Sequence, residues 1–155
     1  MNTIQVTATA IDGEPGPLTR IALQWSEGIA ERTSGQGATD ADWKEISDCI
    51  ATDEFKRVGA YLEELNWEEY LRFLTQWAGG GTRFEMTVFR ISEIGNTVFK
   101  EIEERHYRGD EFIRKNVMSV YRFNDARKIV HLDIYEQAKD SGQWIVEAAR
   151  QATEG

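Results

Sequence analysis

The sequence predicts an α+β domain in which helices come first and a sheet of four linked strands follows. Two patterns in the 155 residues indicate this order. In the front half, apolar residues recur every three to four positions, whereas the back half consists of runs rich in Val, Ile, Phe and Tyr. Only short turn signals separate those runs, which favours an antiparallel meander. We therefore expect N-terminal helices packed on one face of a curved, mostly antiparallel sheet.

The first predicted helix begins at Pro17, because proline suits the first position of a helix. Its apolar positions form one stripe, and the Gly-rich residues 35–37 end it. A shorter second helix is expected after Asp40, a residue type that caps helices well. Residues 55–61 form a possible short strand. The apolar residues assigned to the two helices are Leu18, Ile21, Ala22, Trp25 and Ile29, then Trp43, Ile46 and Ile50.

The third predicted helix opens at Asn66, which forms a capping-box pattern with Glu69. The three glycines 79–81 end it. The predicted domain organisation is an N-terminal tail over residues 1–17, one domain over residues 18–140, and a C-terminal helix or tail over residues 141–155. The four predicted strands are Thr82–Ile91, Asn96–Tyr107, Glu111–Phe123 and Lys128–Glu136.

Charge and cysteine content exclude several classes of function. The 27 acidic and 18 basic side chains give a net charge of −9, which argues against a nucleic-acid partner or an anionic membrane surface. No apolar run approaches the ~20 residues of a membrane span, and the first residues lack the pattern of a signal peptide. The single cysteine, Cys49, leaves no intramolecular disulfide or Cys-based zinc site. We expect a cytoplasmic protein.

The last predicted strand has two contrasting faces. One face carries His131, Asp133 and Tyr135. The opposite face is wholly apolar and consists of Val130, Leu132 and Ile134. In one interpretation, the polar face is simply solvated. In the other, it lines a cavity roofed by the helices, and the apolar face forms a homodimer through the outer side of the sheet. Burial in such a cavity raises the pKa of a carboxyl group and suits it to proton transfer.

The second predicted strand places Lys100, Ile102, Glu104 and His106 on one face. Glu104 belongs to a charged run, which is equally typical of a solvated surface. If Lys100 is buried nearby, it can stabilise a developing oxyanion, although an exposed lysine is the simpler interpretation. His106 and His131 are both candidate general acids or bases, because an imidazole titrates close to neutral pH.

Two segments carry a family resemblance. Asn96–Glu101 and Phe123–Glu136, in this order after the helices, resemble a strand start and a closing hairpin of the NTF2-like superfamily. Within it, they are most similar to the branch of SnoaL-like polyketide cyclases and limonene-epoxide hydrolases. The resemblance covers roughly residues 18–136. It implies a cone-shaped α+β fold, a homodimer, and acid–base catalysis without a cofactor.

The resemblance also implies site residues. The final-strand aspartate that acts as acid or base in that branch falls on Asp133. The Arg-x-Asp pair of the epoxide hydrolases falls on Ile102 and Glu104, so the acid is retained and the arginine is not. Without this arginine, the linked acid–arginine–acid relay of an epoxide hydrolase is incomplete, which argues against epoxide hydrolysis. Tyr61 is the counterpart of a tyrosine that holds water in those enzymes.

The sequence thus favours a cofactor-free lyase or isomerase that acts on a small hydroxylated aromatic or polycyclic compound, such as a lignin-derived diaryl compound, a polyketide or a steroid. Alternatives are a non-catalytic hydrophobic-ligand-binding or dimeric scaffold domain, an epoxide hydrolase or dehydratase, and an iron site that joins both histidines to Asp133. We expect no metal. The candidate catalytic residues are Asp133, His131, Glu104, Tyr61 and Lys100, and the candidate substrate-binding residues are His106, Ile102, Trp67 and Tyr135.

Overall fold

The structure is a computed structural model that describes residues 4–6, 15–34, 43–79, 83–139 and 151. Helices and strands alternate early in these residues, and a long meander follows. A single 3₁₀ turn, Ser47–Cys49, precedes the second strand. The elements are β1 (Ile4–Val6), α1 (Pro17–Ser34), β2 (Lys56–Val58), β3 (Glu64–Asn66), α2 (Trp67–Gly79), β4 (Arg83–Ile94), β5 (Thr97–Arg108), β6 (Glu111–Phe123) and β7 (Ile129–Ala138).

The strands of the described residues form one sheet in the order β1-β4-β5-β6-β7-β2-β3. Successive hairpins join β4 to β7 as an antiparallel meander, as the short turn signals predict. The pairs β1–β4 and β2–β7 are parallel, so the sheet is mostly antiparallel. A register shift between Val88 and Arg90 marks an irregularity in β4, a feature that bends a strand. The predicted fold class is confirmed.

Helix α2 begins where the capping box predicts. The Glu69 backbone N–H donates to Asn66 Oδ1 over 2.9 Å, and the Asn66 N–H donates to Glu69 Oε1 over 3.0 Å. The two bonds satisfy backbone donors that have no partner inside the helix. The helix ends at Gly79, the first of the three glycines.

The helices cover one face of the sheet and bury it. Their apolar stripes meet the alternating apolar residues of the strands, and each fully buried aliphatic side chain contributes about 1.5–3 kcal/mol. This packing leaves the opposite, outer face of the sheet without a helix in the described residues. The buried residues include Leu18, Ala22, Trp25, Leu71 and Leu74 from the helices, and Val88, Val98, Ile102 and Leu132 from the strands.

Three parts of the chain bear on the predicted boundaries. Ile4–Val6, within the predicted tail, pairs in parallel with Met86–Val88, and a strand this short carries no periodicity to detect. Of the helix predicted after Asp40, the described part from Trp43 onward contains a short helical turn and the 3₁₀ turn, and Trp43 is fully buried. The predicted C-terminal helix over residues 141–155 lies outside the described residues, except for the helical Gln151.

Within the described ranges, neither helix has the length and apolar character needed to cross a bilayer.

Candidate active site

A cavity of about 410 Å³ lies between the helices and the covered face of the sheet. Strand β5 runs along it and contributes Lys100, Ile102, Glu104 and His106 from consecutive inward positions. The strand-face pattern predicted this set as one face, and all four line the cavity. Aromatic side chains form much of the wall: Trp25, Tyr70, Phe73, Trp77, Phe84 and Tyr121.

The cavity has a closed floor and an exposed mouth. Lys100 at the floor is 2% exposed. Farther along the same strand, the side chains of Glu104 and His106 are 20% and 15% exposed. Ile113 and Phe73, which also line the cavity, are 49% and 42% exposed. The cavity therefore extends along β5, from its closed end at Lys100 to its open end near the hairpin between β5 and β6.

Glu104 and His106 form a hydrogen-bonded pair inside the cavity. His106 Nε2 lies 3.0 Å from Glu104 Oε2. Because an ionised carboxylate only accepts hydrogen bonds, Nε2 carries the proton and donates it. The imidazole also contacts Trp77 and Phe84, with ring centroids 5.5 and 5.1 Å apart. Carboxylate and aromatic rings together fix the orientation of His106.

The floor is a small polar cluster around Lys100. Its Nζ donates to Ser26 Oγ and lies 3.8 Å from the thioether of Met86. Ser26 Oγ in turn donates to the Ala22 carbonyl over 2.8 Å. Since the single Ser26 hydroxyl proton is used there, Tyr121 Oη, 3.3 Å away, must be the donor to Ser26. The Tyr121 ring centroid lies 5.3 Å from Nζ.

Ser119 adds a further hydroxyl to the floor. It is directly opposite Lys100 in the pairing of β5 with β6, and it is 4% exposed. Its side chain lines the cavity and forms no hydrogen bond within the described residues. Lys100 and Ser119 therefore present hydrogen-bond donors to anything that occupies the floor.

Of the other cations in the cavity wall, two are paired with carboxylates. Lys115 Nζ lies 3.4 Å from Glu136 Oε1. Arg57 Nη1 lies 3.4 Å from Glu63 Oε1, and its guanidinium stacks 5.3 Å from the ring of Tyr70. Burial raises the pKa of Tyr70 to about 12, so this phenol stays protonated and can donate.

The structure reverses the predicted faces of β7. Leu132 and Ile134 line the cavity, and Leu132 is 2% exposed. Asp133 and His131 therefore lie on the outer face, where Tyr135 is 60% exposed. Alternation with a period of two separates the faces of a strand but does not say which one the helices cover. Here the helices cover the apolar face, so the prediction that His131, Asp133 and Tyr135 line the cavity is wrong.

Asp133 is part of an outer-face ion-pair cluster. Its Oδ2 accepts from Arg122, and its Oδ1 accepts from His131 Nε2 over 2.9 Å. Partial burial raises the pKa of Asp133, but the hydrogen bonds from Arg122 and His131 outweigh it and lower the pKa overall. The raised pKa expected for a cavity carboxylate is therefore not found here.

The remaining predicted site residues lie elsewhere. Tyr61 is 74% exposed in the loop between β2 and β3, outside the cavity. Trp67 is buried in the core, 6.0 Å from Trp25 between ring centroids, and is not part of the cavity lining. His106 and His131 face opposite sides of the sheet, which contradicts an iron site built from both. In the part of the chain that the structure describes, no group of three or more His, Cys, Asp or Glu side chains could hold a metal.

The homodimer through the outer face of the sheet stays a prediction. Two of the three residues on which that prediction was based, Leu132 and Ile134, face the cavity instead and cannot contribute to the outer surface.

Sequence reasoning missed several lining residues, all of which depend on packing between elements. Ser26 gives one signal, because it is a polar residue four positions after Ala22 in the apolar stripe of α1. Lys115 and Ser119 share a face of β6 with Tyr121, a pattern that alternation shows but does not orient. Cys49 is packed against the core, and burial raises the pKa of its thiol to about 11.

Comparisons with known proteins identify the fold. No family model matches the chain, and no curated protein is similar to it in sequence. Solved structures do match. An NTF2-like protein of unknown function from Exiguobacterium sp. 255-15 has a TM-score of 0.62 at 12% identity, over 76% of this chain and 98% of that one.

Two enzymes are also similar in structure. An LEH-like epoxide hydrolase from M. tuberculosis has a TM-score of 0.59 at 14% identity, over 86% of this chain and 97% of the other. The BvnE pinacolase from Penicillium brevicompactum has a TM-score of 0.62 at 15% identity, over 88% and 95%. At such identities the similarity shows the fold alone. The chain has the NTF2-like fold, as its two motif segments predict.

Proposed function

We propose that this protein is a cofactor-independent acid–base enzyme, a lyase or isomerase, that acts on a small hydroxylated aromatic or polycyclic compound. One observation carries the proposal: a hydrogen-bonded carboxylate and imidazole, Glu104 and His106, lie inside a cavity with aromatic walls. Enzymes with the same fold, including an epoxide hydrolase and a pinacolase, support a catalytic use of such a cavity.

The pair is arranged for proton transfer. Because His106 Nε2 donates to Glu104, the other ring nitrogen of the neutral imidazole holds a lone pair that can accept a proton from a substrate. The Glu104 carboxylate then stabilises the imidazolium that forms. Trp77 and Phe84 hold the ring in place. A positioned acid or base of this kind contributes roughly 10²–10⁴-fold in rate.

The floor supplies the second requirement, an anchor for a substrate oxygen at the closed end of the cavity. Lys100 and Ser119 provide donors at the closed end of the cavity. Donors that are fixed before the reaction hold the substrate in one orientation relative to the catalytic pair. Lys100 and Glu104 are four residues apart on β5, about 13 Å along the strand. A compound with one or two rings fits between them, and proton removal or delivery then occurs at its outer end.

Ile102 favours this chemistry over epoxide hydrolysis. It occupies the position at which the resembled epoxide hydrolases carry an arginine, it is 1% exposed, and it lines the cavity between Lys100 and Glu104. An apolar side chain there provides no cation to link two acids. Eliminations, retro-aldol cleavages and double-bond migrations need only placed acids and bases.

The chain offers a matched control for the test. Glu104 with His106 and Asp133 with His131 are both carboxylate–imidazole pairs two residues apart on a strand, but only the first lies in the cavity. A panel of hydroxylated aromatic and polycyclic carbonyl compounds is incubated in D₂O, and deuterium incorporation and product formation are followed by mass spectrometry. Glu104→Gln and His106→Asn should each lower the rate by about 10²-fold or more. Asp133→Asn should leave the rate unchanged.

Two results would contradict the proposal. The first is an Asp133→Asn variant that loses as much activity as Glu104→Gln. The second is tight binding of panel compounds with neither exchange nor product after long incubation, which is the behaviour of a ligand-binding domain.

A further inference from the structure

We infer that the cavity floor recognises a carboxylate, so that the ligand is a small aromatic or alicyclic carboxylic acid whose acid group contacts Lys100 and Ser119. The inference rests on the proposed function only for the position of the reacting end. The carboxylate lies at the end of the ligand opposite the reacting end, and a binding experiment without turnover can test for it.

The charge of Lys100 is not matched by an opposite charge among its described contacts. Its side chain is almost fully buried, and its described partners are the Ser26 hydroxyl, the Met86 thioether and the face of Tyr121. None of these carries a negative charge. An ion removed from water is normally paired with an opposite charge. An anionic group of the ligand would provide the missing partner.

Lys100 differs in this respect from two other cations of the cavity wall. Lys115 and Arg57 also line the cavity, but each already has a carboxylate within 3.4 Å, Glu136 and Glu63 respectively. Lys100 differs from both in depth and in the character of its partners. Of these three cations, Lys100 is the most deeply buried, and it is the one without a carboxylate partner among the described residues. A negatively charged group of the ligand can supply that partner.

Ser119 provides a second hydrogen-bond donor beside Lys100. Ser119 lies opposite Lys100 on the paired strand, and the Cβ atoms of such residues are about 4.5–5.5 Å apart. Ser119 is 4% exposed, lines the cavity and forms no side-chain hydrogen bond within the described residues. Two adjacent donors match the two oxygens of one carboxylate, since each oxygen can accept one hydrogen bond.

The walls define the rest of the ligand. A cavity of about 410 Å³ is at the lower end of the range for small-molecule sites, and Trp25, Trp77 and Phe84 give it flat apolar surfaces. A compound with one or two rings fits this volume and these surfaces. With the acid at the floor, the ring system extends along Ile102 toward Glu104 and His106.

Isothermal titration calorimetry with three matched probes tests the inference: naphthoate, naphthamide and naphthalenemethanol. They share the ring system and differ in the charge of one group. The wild-type protein should bind naphthoate at least about tenfold more tightly than either neutral probe, because hydrogen bonds to charged groups are the stronger ones. Lys100→Met should reduce this ratio to about one, and Lys100→Gln provides a second variant if the first fails to fold.

The controls separate this inference from the proposed function. Lys115→Met removes a cation that already has a carboxylate partner, so the preference for the acid should remain. Glu104→Gln should also keep the preference, even though it removes catalysis. Equal affinity for naphthoate and naphthamide, or a preference that survives Lys100→Met, would overturn the inference. An intact acid preference without turnover would contradict only the proposed function.

Discussion

Replacing Lys100 by methionine should make the ligand-free protein more stable. The Nζ atom is buried beside neutral groups, so folding removes an ammonium from water without pairing it with a carboxylate in the described residues. Methionine has a similar length, is unbranched and has no charge to desolvate. Ser26 keeps its bond to the Ala22 carbonyl and its bond from Tyr121, so the substitution leaves no new buried polar atom without a partner.

The size of the effect follows from these contacts. Replacing buried ionic groups by apolar side chains of similar volume is often neutral or stabilising, by about 1–4 kcal/mol. This range is a net effect, so it already includes the lost bond to Ser26, and a single cation in place of an ion pair or triad points to its lower half. We therefore expect a net gain of about 1–2 kcal/mol in the free energy of unfolding. For a domain of this size, each kcal/mol raises Tm by roughly 2–4 °C.

Urea denaturation followed by tryptophan fluorescence, together with thermal melts, measures this change without any ligand. Lys115→Met is the matched control. It removes the partner of Glu136 at a more exposed position, so we expect no gain in stability from it. A Lys100→Met variant that loses about 1 kcal/mol or more would refute the reasoning, because it would show that the folded protein already satisfies the charge of Lys100.

Two further predictions concern the faces of β7. Asp133 has a folded-state pKa below its ordinary value, so its stabilising contribution is present above an unfolded pKa of about 3.9 and is lost as pH falls through the lower folded value. Asp133→Asn, which weakens the cluster with Arg122 and His131, should lower Tm at pH 7. It should have no effect at a pH below the folded pKa, where the carboxyl group of Asp133 is already protonated. An equal loss of Tm at both pH values would contradict the ion-pair role of Asp133. Leu132→Ala should cost about 2–5 kcal/mol in urea denaturation because Leu132 is 2% exposed. Tyr135→Ala, at 60% exposure, should change stability by no more than about 0.5 kcal/mol, and the opposite ranking would restore the original face assignment.

Local chemistry made much of the fold predictable. The Asn66–Glu69 capping box marks the start of α2, because the two side chains satisfy backbone donors within four residues of sequence. The β6 strand, Glu111–Phe123, has the predicted bounds, since turn signals flank it closely on both sides. The short strand Ile4–Val6 escaped prediction because its pairing with β4 involves residues about eighty positions away.

The candidate site, too, was predictable only in part from the sequence. Alternation correctly grouped Lys100, Ile102, Glu104 and His106, and equally correctly grouped His131 with Asp133. It could not orient either strand, because a period of two is symmetric between the two faces of a sheet. The cluster around Lys100 requires α1 and β6 as well, and no local pattern specifies that they meet there.

The sequence by itself determined the two long helices, the four-stranded meander, the faces of its strands and the types of chemical group available for catalysis. These follow from backbone propensities and from the fixed periods of helix and strand, which are properties of neighbouring residues. Only the tertiary structure decided which face is covered by the helices. That decision follows from burial of apolar area summed over the whole sheet, and it moved the candidate catalytic pair from Asp133 and His131 to Glu104 and His106.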